Sequence, residues 1–559
     1  MTETSLPLPL KAGSRAEQIF PTLTPAQLER ITSHGRAREV RTGEVLFEAG
    51  EEIFPFLVVT AGRIEMVRPS PTGDTIIAVH GPGQFSGEIN MLSGRRALAR
   101  ARATEPSTVV ELDRDRLMSL VQADSELSEI LMRAFILRRV ELIAQGIGDV
   151  VLIGSDHSGA TIQIKEFLTR NGHPYAYIDL DRDADVQTLL DRFGVDAEDV
   201  PVVICRGEKV LKNPNNQEIA DCLGFNIAID PVHVRDLIIV GAGPAGLAAA
   251  VYAASEGLDV LVLESNSPGG QAASSSRIEN YLGFPMGISG QDLAGRAYTQ
   301  AEKFGAQVMI AKRAKHLACG RKPYAIEIDK GSAIPARAVI IATGAEYRRL
   351  SVENLAQFEG TGVYYGATFV ESQLCRGEEV IVVGGGNAAG QAAVFLAQTA
   401  KRVHLVVRST GLADSMSRYL IRRIEESPAI VLRTSTEIIG LEGTDHLERV
   451  HMRDNRSGTV TIHDIRHVFV MTGAIPSTSW LDGCIALDVN GFIKTGPDLS
   501  RDDLTAAHWP LARAPHLLET SRPGVFAVGD VRSGNVKRVA SAVGEGSIAV
   551  SFVHQVLHE

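Results

Sequence analysis

The chain has 559 residues, which is too long for one hydrophobic core and predicts several domains. Hydrophobic residues make up 44% of the sequence and charged residues 22%, which is ordinary for a globular protein and excludes a wholly disordered chain. The formal net charge of −11 disfavours a nucleic-acid partner. No secretory signal is visible at the start. The uncharged stretch 237–255 is long enough to span a bilayer, but its GAGPAG segment is typical of a glycine-rich turn after a strand, so no membrane span is predicted.

The cysteines are few and widely spaced. They are Cys205, Cys222, Cys319, Cys375 and Cys484. They form no CxxC pair and no metal-ligand cluster, so no metal site is predicted. An odd, sparse set in a long chain is typical of a reducing compartment, and we expect a cytoplasmic protein.

The first domain is expected over residues 1–147. Thr24 followed by Pro25 predicts the start of a helix, with Gln27 completing a capping box. Short apolar runs separated by turn residues then predict a small antiparallel barrel or roll. A long amphipathic helix is predicted over residues 125–146.

One segment of this domain, GPGQFSGEINMLSGRRALARARA at residues 81–103, resembles cyclic-nucleotide-binding domains. The resemblance implies that the short helix after Gly87 holds the cyclic phosphate through its backbone N–H groups. It also implies that Glu88 holds the ribose hydroxyl.

The arginine that pairs with the phosphate in that family is replaced. Its place falls at Ala97 or Leu98, and neither side chain can pair with a phosphate. Arg95, Arg96 and Arg100 lie nearby, and one of them could be recruited. Two alternatives stay open: a cyclic nucleotide effector, and a domain that keeps the fold while its nucleotide site is degenerate.

A second domain is expected over residues 148–230. Its predicted order of strand, helix, strand, helix, two strands and helix resembles a thioredoxin or glutaredoxin fold. Val200-Pro201 stands where that family has its cis-proline. No cysteine lies near residues 155–158, where the family has its CxxC, so ordinary dithiol exchange is not expected there. The domain is expected to serve regulation or docking.

A nucleotide-binding turn follows in RDLIIVGAGPAGLAAAVYAASEGLDVLVLE, residues 235–264. Gly241 allows a tight turn, Gly243 lets a pyrophosphate approach the backbone, and Gly246 lets the helix pack on the strand. Glu264 ends the second strand, 23 residues after Gly241, where it can accept hydrogen bonds from a ribose.

A second copy of the pattern lies at residues 378–408, EEVIVVGGGNAAGQAAVFLAQTAKRVHLVVR. Gly384, Gly386 and Ala389 take the three turn positions, and the second strand ends at Arg408. A cation at that end suits a 2′-phosphate and favours NADPH over NADH. Arg408 could also be a solvated strand end, which leaves NADH open.

Residues 235–559 together resemble thioredoxin reductase of the low-molecular-weight kind. The matching segments, in chain order, are GAGPAG at 241–246, PGGQ at 268–271, IENYLGFP at 278–285, GGGNAAG at 384–390 and GDV at 529–531. The resemblance implies FAD in the first nucleotide fold and NAD(P)H in a second fold inserted into it.

The resemblance also assigns residues to each cofactor. Those expected at FAD are Gly241, Gly243, Pro244, Ala245, Gly246, Glu264, Gly270, Gln271, Asn280, Thr343, Gly344, Gly529, Asp530, Val531, Arg538, Val539 and Ala540. Those expected at NADPH are Gly384, Gly386, Asn387, Ala388, Ala389, Arg408 and Gly473. Among them, Glu264 is expected to contact the adenosine ribose and Asp530 the ribityl chain.

The redox dithiol of the resembled family is absent from the sequence. Its two cysteine positions, just before the second glycine-rich strand, carry Gly366 and Phe369. Cys375 is the nearest thiol, and a lone thiol cannot form an internal disulfide. No catalytic residue is therefore identified, and reduced flavin is expected to pass electrons to an acceptor outside the chain.

The expected fold class is multidomain α/β and α+β: an N-terminal β-roll with helices, a thioredoxin-like domain, and two nested Rossmann-like dinucleotide-binding domains. The FAD domain is expected over 231–347 and 475–559, and the NAD(P)H domain over 348–474. The expected function is an FAD-dependent NAD(P)H oxidoreductase, a homodimer by resemblance, with an unidentified protein or small-molecule acceptor. Alternatives are a cyclic-nucleotide- or redox-sensing flavoprotein with little turnover, and a ferredoxin- or flavodoxin-NADP reductase-like activity.

Overall fold

The computed structural model describes residues 16–68, 74–87, 90–144, 150–155, 158–180, 199–206, 209–226, 228–275, 277–328, 331–367, 369–444, 446–481 and 483–559. Glu88 lies outside them, as does the second of the helices expected in the thioredoxin-like domain, at residues 186–194. Two compact units are present. The first combines Met1–Ser155, Asn171–Ile229 and Thr299–Ala311, and the second combines Asp156–Arg170, Asp230–Tyr298 and Lys312–Glu559. In the described part of the chain, no helix is long and apolar enough to cross a membrane.

The described α-helices are distributed through both units. They are Ala16–Ile19, Pro25–Thr32, Asn90–Ser93, Arg114–Ala123, Ser125–Ala144, Gly159–Arg170, Asn216–Leu223, Pro244–Ser255, Gly290–Lys303, Leu355–Phe358, Phe369–Leu374, Asn387–Leu396, Arg418–Glu426, Arg501–Ala506 and Val539–His558.

The described strands are numbered in chain order. They are β1 Arg36–Val40, β2 Val45–Phe47, β3 Phe56–Ala61, β4 Ile64–Arg68, β5 Thr75–His80, β6 Arg100–Ala103, β7 Ser107–Leu112, β8 Val150–Gly154, β9 Tyr175–Asp179, β10 Val202–Cys205, β11 Lys209–Lys212, β12 Arg235–Val240, β13 Val260–Leu263, β14 Gln307–Met309, β15 Ala314–Ala318, β16 Tyr324–Ile328, β17 Ala333–Ile341, β18 Ala345–Tyr347, β19 Val363–Tyr364, β20 Glu379–Val383, β21 Arg402–Val406, β22 Ile430–Arg433, β23 Thr436–Gly443, β24 Leu447–Asp454, β25 Val460–His463, β26 His467–Val470, β27 Ala474–Pro476 and β28 Val525–Ala527.

The N-terminal part of the first unit is β-rich, as predicted. Two antiparallel sheets have the orders β1-β7-β3 and β2-β6-β4-β5. The predicted capping box is confirmed, with the Thr24 side chain accepting from the backbone N–H of Gln27. The long helix buries Phe135 against Phe56 and Phe85, so this helix closes the roll through an aromatic core.

The next sheet of the first unit has the order β11-β10-β8-β9. Strands β8 and β9 are parallel, whereas β10 runs antiparallel to both β8 and β11. The Val200-Pro201 peptide bond before β10 is cis. Helix Gly159–Arg170 lies between β8 and β9 in the sequence but belongs to the second unit.

The main sheet of the second unit is built around β12, which carries a fully buried apolar run. Such a run is typical of a parallel strand covered on both faces. Parallel neighbours β13 and β17 flank β12, and β28 also pairs in parallel with β17. Strands β16 and β15 continue the order from β17 in antiparallel sense.

A second parallel sheet, β19-β26-β20-β21-β22, lies within the segment expected to be inserted. The antiparallel strands β23, β24 and β25 accompany it. Strand β18 pairs with β27 at the two ends of this segment, so the chain leaves and returns through one two-stranded ribbon.

Two of the cysteines are paired in the second unit. Cys319 and Cys484, which lie 165 residues apart, form a disulfide. The sequence did not indicate this pair, because sequence separation carries no information on which side chains the fold brings together. Cys205, Cys222 and Cys375 are buried and form no disulfide with any described residue.

Candidate functional site

A large cavity of about 710 Å³ lies in the second unit, where β12, β13 and β17 end. This volume falls within the range of about 300–1,000 Å³ that is usual for ligand sites. The predicted residues that line it are Gly241, Gly243, Pro244, Ala245, Glu264, Gly270, Gln271, Thr343, Gly344, Gly529, Asp530, Arg538 and Val539. The crevice beyond the carboxyl ends of parallel strands is where open α/β sheets bind their ligands.

The glycine turn after β12 fits a phosphate. Gly241 has a φ of +105°, and a Cβ there would lie 2.4 Å from the carbonyl oxygen of Ala342. A Cβ at Gly246 would lie 1.9 Å from the carbonyl oxygen of Gly241, so both positions require glycine. At Gly243, by contrast, the nearest atom to a Cβ would be 3.9 Å away. Gly243 caps helix Pro244–Ser255 without a side-chain hydrogen bond, so the first N–H groups of the helix remain for an anion.

Glu264 is held as a hydrogen-bond acceptor at the end of β13. Its two carboxylate oxygens accept from the backbone N–H groups of Ala242 and Asn266, both at 2.8 Å. Burial raises the pKa of Glu264, and these donors together with Arg170 oppose that shift. A carboxylate offers about four acceptor positions, and the backbone donors at Ala242, Asn266 and Ser267 leave capacity for a ribose hydroxyl.

The C-terminal side of the cavity is built by the turn Gly529–Val531 and the start of helix Val539–His558. The Gly529 N–H donates to Glu545 at 2.7 Å, which fixes this turn against the helix. Burial raises the pKa of Asp530 above its ordinary value, an effect that the charge of Lys537 opposes.

Four of the predicted FAD residues do not line the cavity. Gly246 and Val531 are buried, whereas Asn280 and Ala540 are exposed. Sequence reasoning missed other lining residues, among them Arg170, Lys312, Arg313, Lys315 and Trp480. The basic cluster KRAK at residues 312–315 was the available signal for three of these.

The second glycine turn repeats the first in the inserted segment. Gly384 has a φ of +141°, and a Cβ there would lie 2.3 Å from the carbonyl oxygen of Met471. Gly386 caps helix Asn387–Leu396, and its Cβ position is open, with the nearest atom at 4.0 Å. Ala389 is fully buried where the first turn has Gly246.

The remaining residues predicted for NADPH lie around this turn. Asn387 accepts from the backbone N–H of Ser417 at 2.7 Å, and Gly473 has a φ of +35°. Ala388 follows Asn387 in the first turn of the helix. Arg408 is exposed beyond β21, and it makes no ion pair or hydrogen bond with any described residue.

Gly366, one of the two positions where the resemblance expects a cysteine, lies beside a segment that lines the cavity. A Cβ at Gly366 would lie 3.5 Å from the Cβ of Ser274, which is an ordinary contact. Phe369 begins helix Phe369–Leu374. Cys375 is fully buried in the core around β20, and burial raises its pKa to about 12, so this thiol is not a nucleophile.

The cavity beside the described part of the predicted cyclic-nucleotide site is small, and Arg68, His80 and Arg138 are among its lining residues. Gly87, Ala97 and Leu98 line a cavity of only about 70 Å³ in the first unit. Arg95 is buried with its guanidinium 4.4 Å from the ring centroid of Phe225, and Arg96 pairs with Glu52. Neither arginine lines the cavity.

Two family models match the chain. The model for pyridine nucleotide-disulphide oxidoreductases matches residues 235–546, and the model for the cyclic nucleotide-binding domain matches residues 37–124. Thus the larger match includes both glycine turns, and the smaller one covers most of the N-terminal β-roll.

Individual relatives match the same C-terminal part. The chain is 34% identical over 325 residues to thioredoxin reductase of Ureaplasma parvum and 30% identical over 344 residues to that of Bacillus subtilis, covering 58% of this chain and 97% and 96% of those proteins. Solved thioredoxin reductases of Lactococcus lactis and T. acidophilum each superpose with a TM-score of 0.52. They share 26% and 29% identity, and the match covers 58% of this chain and 100% and 99% of theirs.

Proposed function

Since the chain belongs to the pyridine nucleotide-disulphide oxidoreductase family, we propose that this FAD-containing oxidoreductase takes electrons from NADPH and passes them to an acceptor outside the chain. The single observation that carries the proposal is the pair of glycine turns, each opening a helix beside a parallel sheet. FAD, when bound, supplies the electron transfer between NADPH and the acceptor.

The chain's own residues supply the binding and the orientation. When FAD is bound, the helix start after Gly243 would hold its phosphates, Glu264 its adenosine ribose and Asp530 its ribityl chain. The second turn, with Gly386 at its helix start, would receive the NADPH phosphates, and Arg408 would pair with the 2′-phosphate. Nicotinamide and flavin must come within about 3–3.5 Å for transfer, which the two nucleotide folds together have to provide.

An external acceptor is proposed because no cysteine stands at the two positions where the resemblance expects a dithiol. Gly366 and Phe369 replace the expected cysteines, and Cys375 is buried and protonated. The acceptor classes that fit are a partner's disulfide, a quinone, oxygen, or a one-electron carrier such as ferredoxin or flavodoxin. A homodimeric, cytoplasmic protein is part of the proposal, because the relatives are thioredoxin reductases.

The proposal is tested by mixing the yellow full-length protein with NADPH in the absence of oxygen. The visible flavin absorbance is expected to bleach. An absorbance that stays unchanged contradicts the proposal. The R408A variant is expected to need about tenfold more NADPH for half-maximal bleaching, because a charged hydrogen bond to phosphate is worth about 1.5–3 kcal/mol. Its response to NADH, which lacks the 2′-phosphate, is expected to be unchanged and serves as the control.

A second candidate function is a cyclic-nucleotide- or redox-sensing flavoprotein, which the family match over residues 37–124 favours. The cavity of about 70 Å³ and the engagement of Arg95 and Arg96 elsewhere argue against a nucleotide. Calorimetry of the full-length protein with cyclic AMP and cyclic GMP is therefore expected to give no binding heat. If heat appears and the affinity changes with NADPH, the sensing function is supported, since coupling between two sites is reciprocal.

A further inference from the structure

Arg170 lines the large cavity from outside both family matches. It is the last residue of helix Gly159–Arg170, which lies before residue 235 and after residue 124. This helix belongs to the second unit, and Arg170 lines the same cavity as Gly243 and Glu264. The chain therefore brings to this cavity a cation that the matched family segment does not contain.

The guanidinium of Arg170 is fixed in place. One terminal nitrogen donates to the carbonyl oxygen of Gly270 at 2.8 Å, and the other donates to the Glu166 carboxylate at 3.1 Å. The end of the helix is held as well, because the Gln291 side-chain amide donates to the carbonyl oxygens of Thr169 and Arg170. An arginine held this way loses little additional freedom when a ligand arrives.

One donor of this guanidinium has no partner among the described residues. The Nε–H of Arg170 is buried and makes no hydrogen bond to any described residue, while the whole side chain is 15% exposed. A buried donor attached to a charged group is costly when it stays unsatisfied. A ligand that brings anionic oxygens into the cavity would satisfy this donor.

The position of Arg170 matches the phosphate part of a dinucleotide. Its partner Gly270 packs close to the glycine turn, since a Cβ at Gly270 would lie 3.1 Å from the Cα of Gly243. A helix start offers only about half of an elementary positive charge, whereas a pyrophosphate carries two negative charges. A guanidinium provides a full charge and a fork of donors that suits phosphate oxygens.

We propose that Arg170 binds the pyrophosphate of FAD, so that the helix preceding the oxidoreductase module forms part of the flavin site. This inference rests on the proposed function. It gives the segment around residues 159–170 a role in flavin binding that does not require cysteines.

The test compares R170Q with R422Q in the flavin-free full-length protein. Arg422 forms an exposed pair with Glu426 and serves as the matched control. R170Q is expected to raise the Kd for FAD by about 10- to 100-fold and to leave the Kd for riboflavin, which has no phosphate, unchanged. An FAD affinity equal to that of R422Q overturns the inference, as does an equal loss for FAD and riboflavin.

Two further measurements distinguish a loss of the Arg170 contact from a folding defect and from a failure of the proposed function. Circular dichroism checks that flavin-free R170Q is folded. If it is not, hydrogen exchange of the unaltered protein decides: amides of residues 166–170 are expected to exchange more slowly with FAD present, and unchanged exchange overturns the inference. If the unaltered protein binds no FAD at all, the proposed function fails as well. If the unaltered protein binds FAD and R170Q binds it equally well, only the role of Arg170 is removed.

Discussion

Replacing Gly243 with alanine is expected to weaken FAD binding by about 10- to 100-fold while the flavin-free protein folds as before. The φ of −71° at this residue is open to any amino acid, and the nearest atom to a new Cβ is 3.9 Å away, so the protein itself has room. The added methyl group instead occupies the space through which the pyrophosphate approaches the backbone. Overpacking of this kind costs about 1–3 kcal/mol, which sets the expected range.

The measurements for G243A are the FAD affinity of the flavin-free protein and its thermal unfolding. G246A is the informative comparison, because a Cβ there would lie 1.9 Å from the Gly241 carbonyl oxygen. G246A is expected to lower the stability of the flavin-free protein itself by more than about 2 kcal/mol. If G243A binds FAD normally, the phosphate is not held at this turn. If it unfolds like G246A, the protein itself has no room for the added methyl group.

The local parts of this site could be predicted from the sequence because their causes are local. A buried strand, a glycine turn and a helix start are specified by neighbouring residues, and the structure has Arg235–Val240 followed by Pro244–Ser255 as predicted. Glu264 also follows from spacing, since the length of the helix between two parallel strands fixes where the second strand ends. Each of these inferences used about thirty consecutive residues or fewer.

The parts that could not be predicted depend on contacts between distant segments. Arg170 reaches the cavity from a helix that no nucleotide-binding motif includes, and its partner Gly270 is 100 residues away. Cys319 and Cys484 are joined across 165 residues. Nothing in the local sequence of Arg95 indicates that its guanidinium lies over Phe225. Because it lies there, Arg95 does not line the cavity beside Gly87.

The resemblance assigned more residues to the FAD site than the structure places in the cavity lining. Asn280 belongs to the matching segment IENYLGFP, yet its side chain is exposed and does not line the cavity. A motif fixes the path of the backbone more firmly than it fixes the direction of each side chain. Assignments that rest on a residue's chemistry at a strand end, such as Glu264 and Asp530, lie in the cavity lining.

The full-length protein is expected to reduce thioredoxin disulfide at least about a thousandfold more slowly than NADPH reduces its flavin. An internal dithiol would take electrons from the flavin in a unimolecular step. The rate advantage of such a step can exceed a factor of about a thousand, so the loss of the dithiol accounts for the expected slow reduction. Cys375 is no substitute, because it is buried with a pKa of about 12. The flavin absorbance of C375S is therefore expected to bleach with NADPH as that of the unaltered protein does. If the unaltered protein reduces thioredoxin as fast as its flavin bleaches, the prediction is contradicted.

A gain of function completes this test. The double variant G366C F369C restores the CxxC spacing, and the backbone at Gly366 accepts a side chain because the nearest atom to its Cβ is 3.5 Å away. Once oxidised to the disulfide, the variant is expected to take up one electron pair per chain more from NADPH than the unaltered protein, giving two thiols. Anaerobic titration counts these equivalents, and G366S F369S is the control that keeps the polarity without the sulfur. Equal uptake by both variants would mean that this segment does not reach the flavin, which would leave the external acceptor as the only route for the electrons.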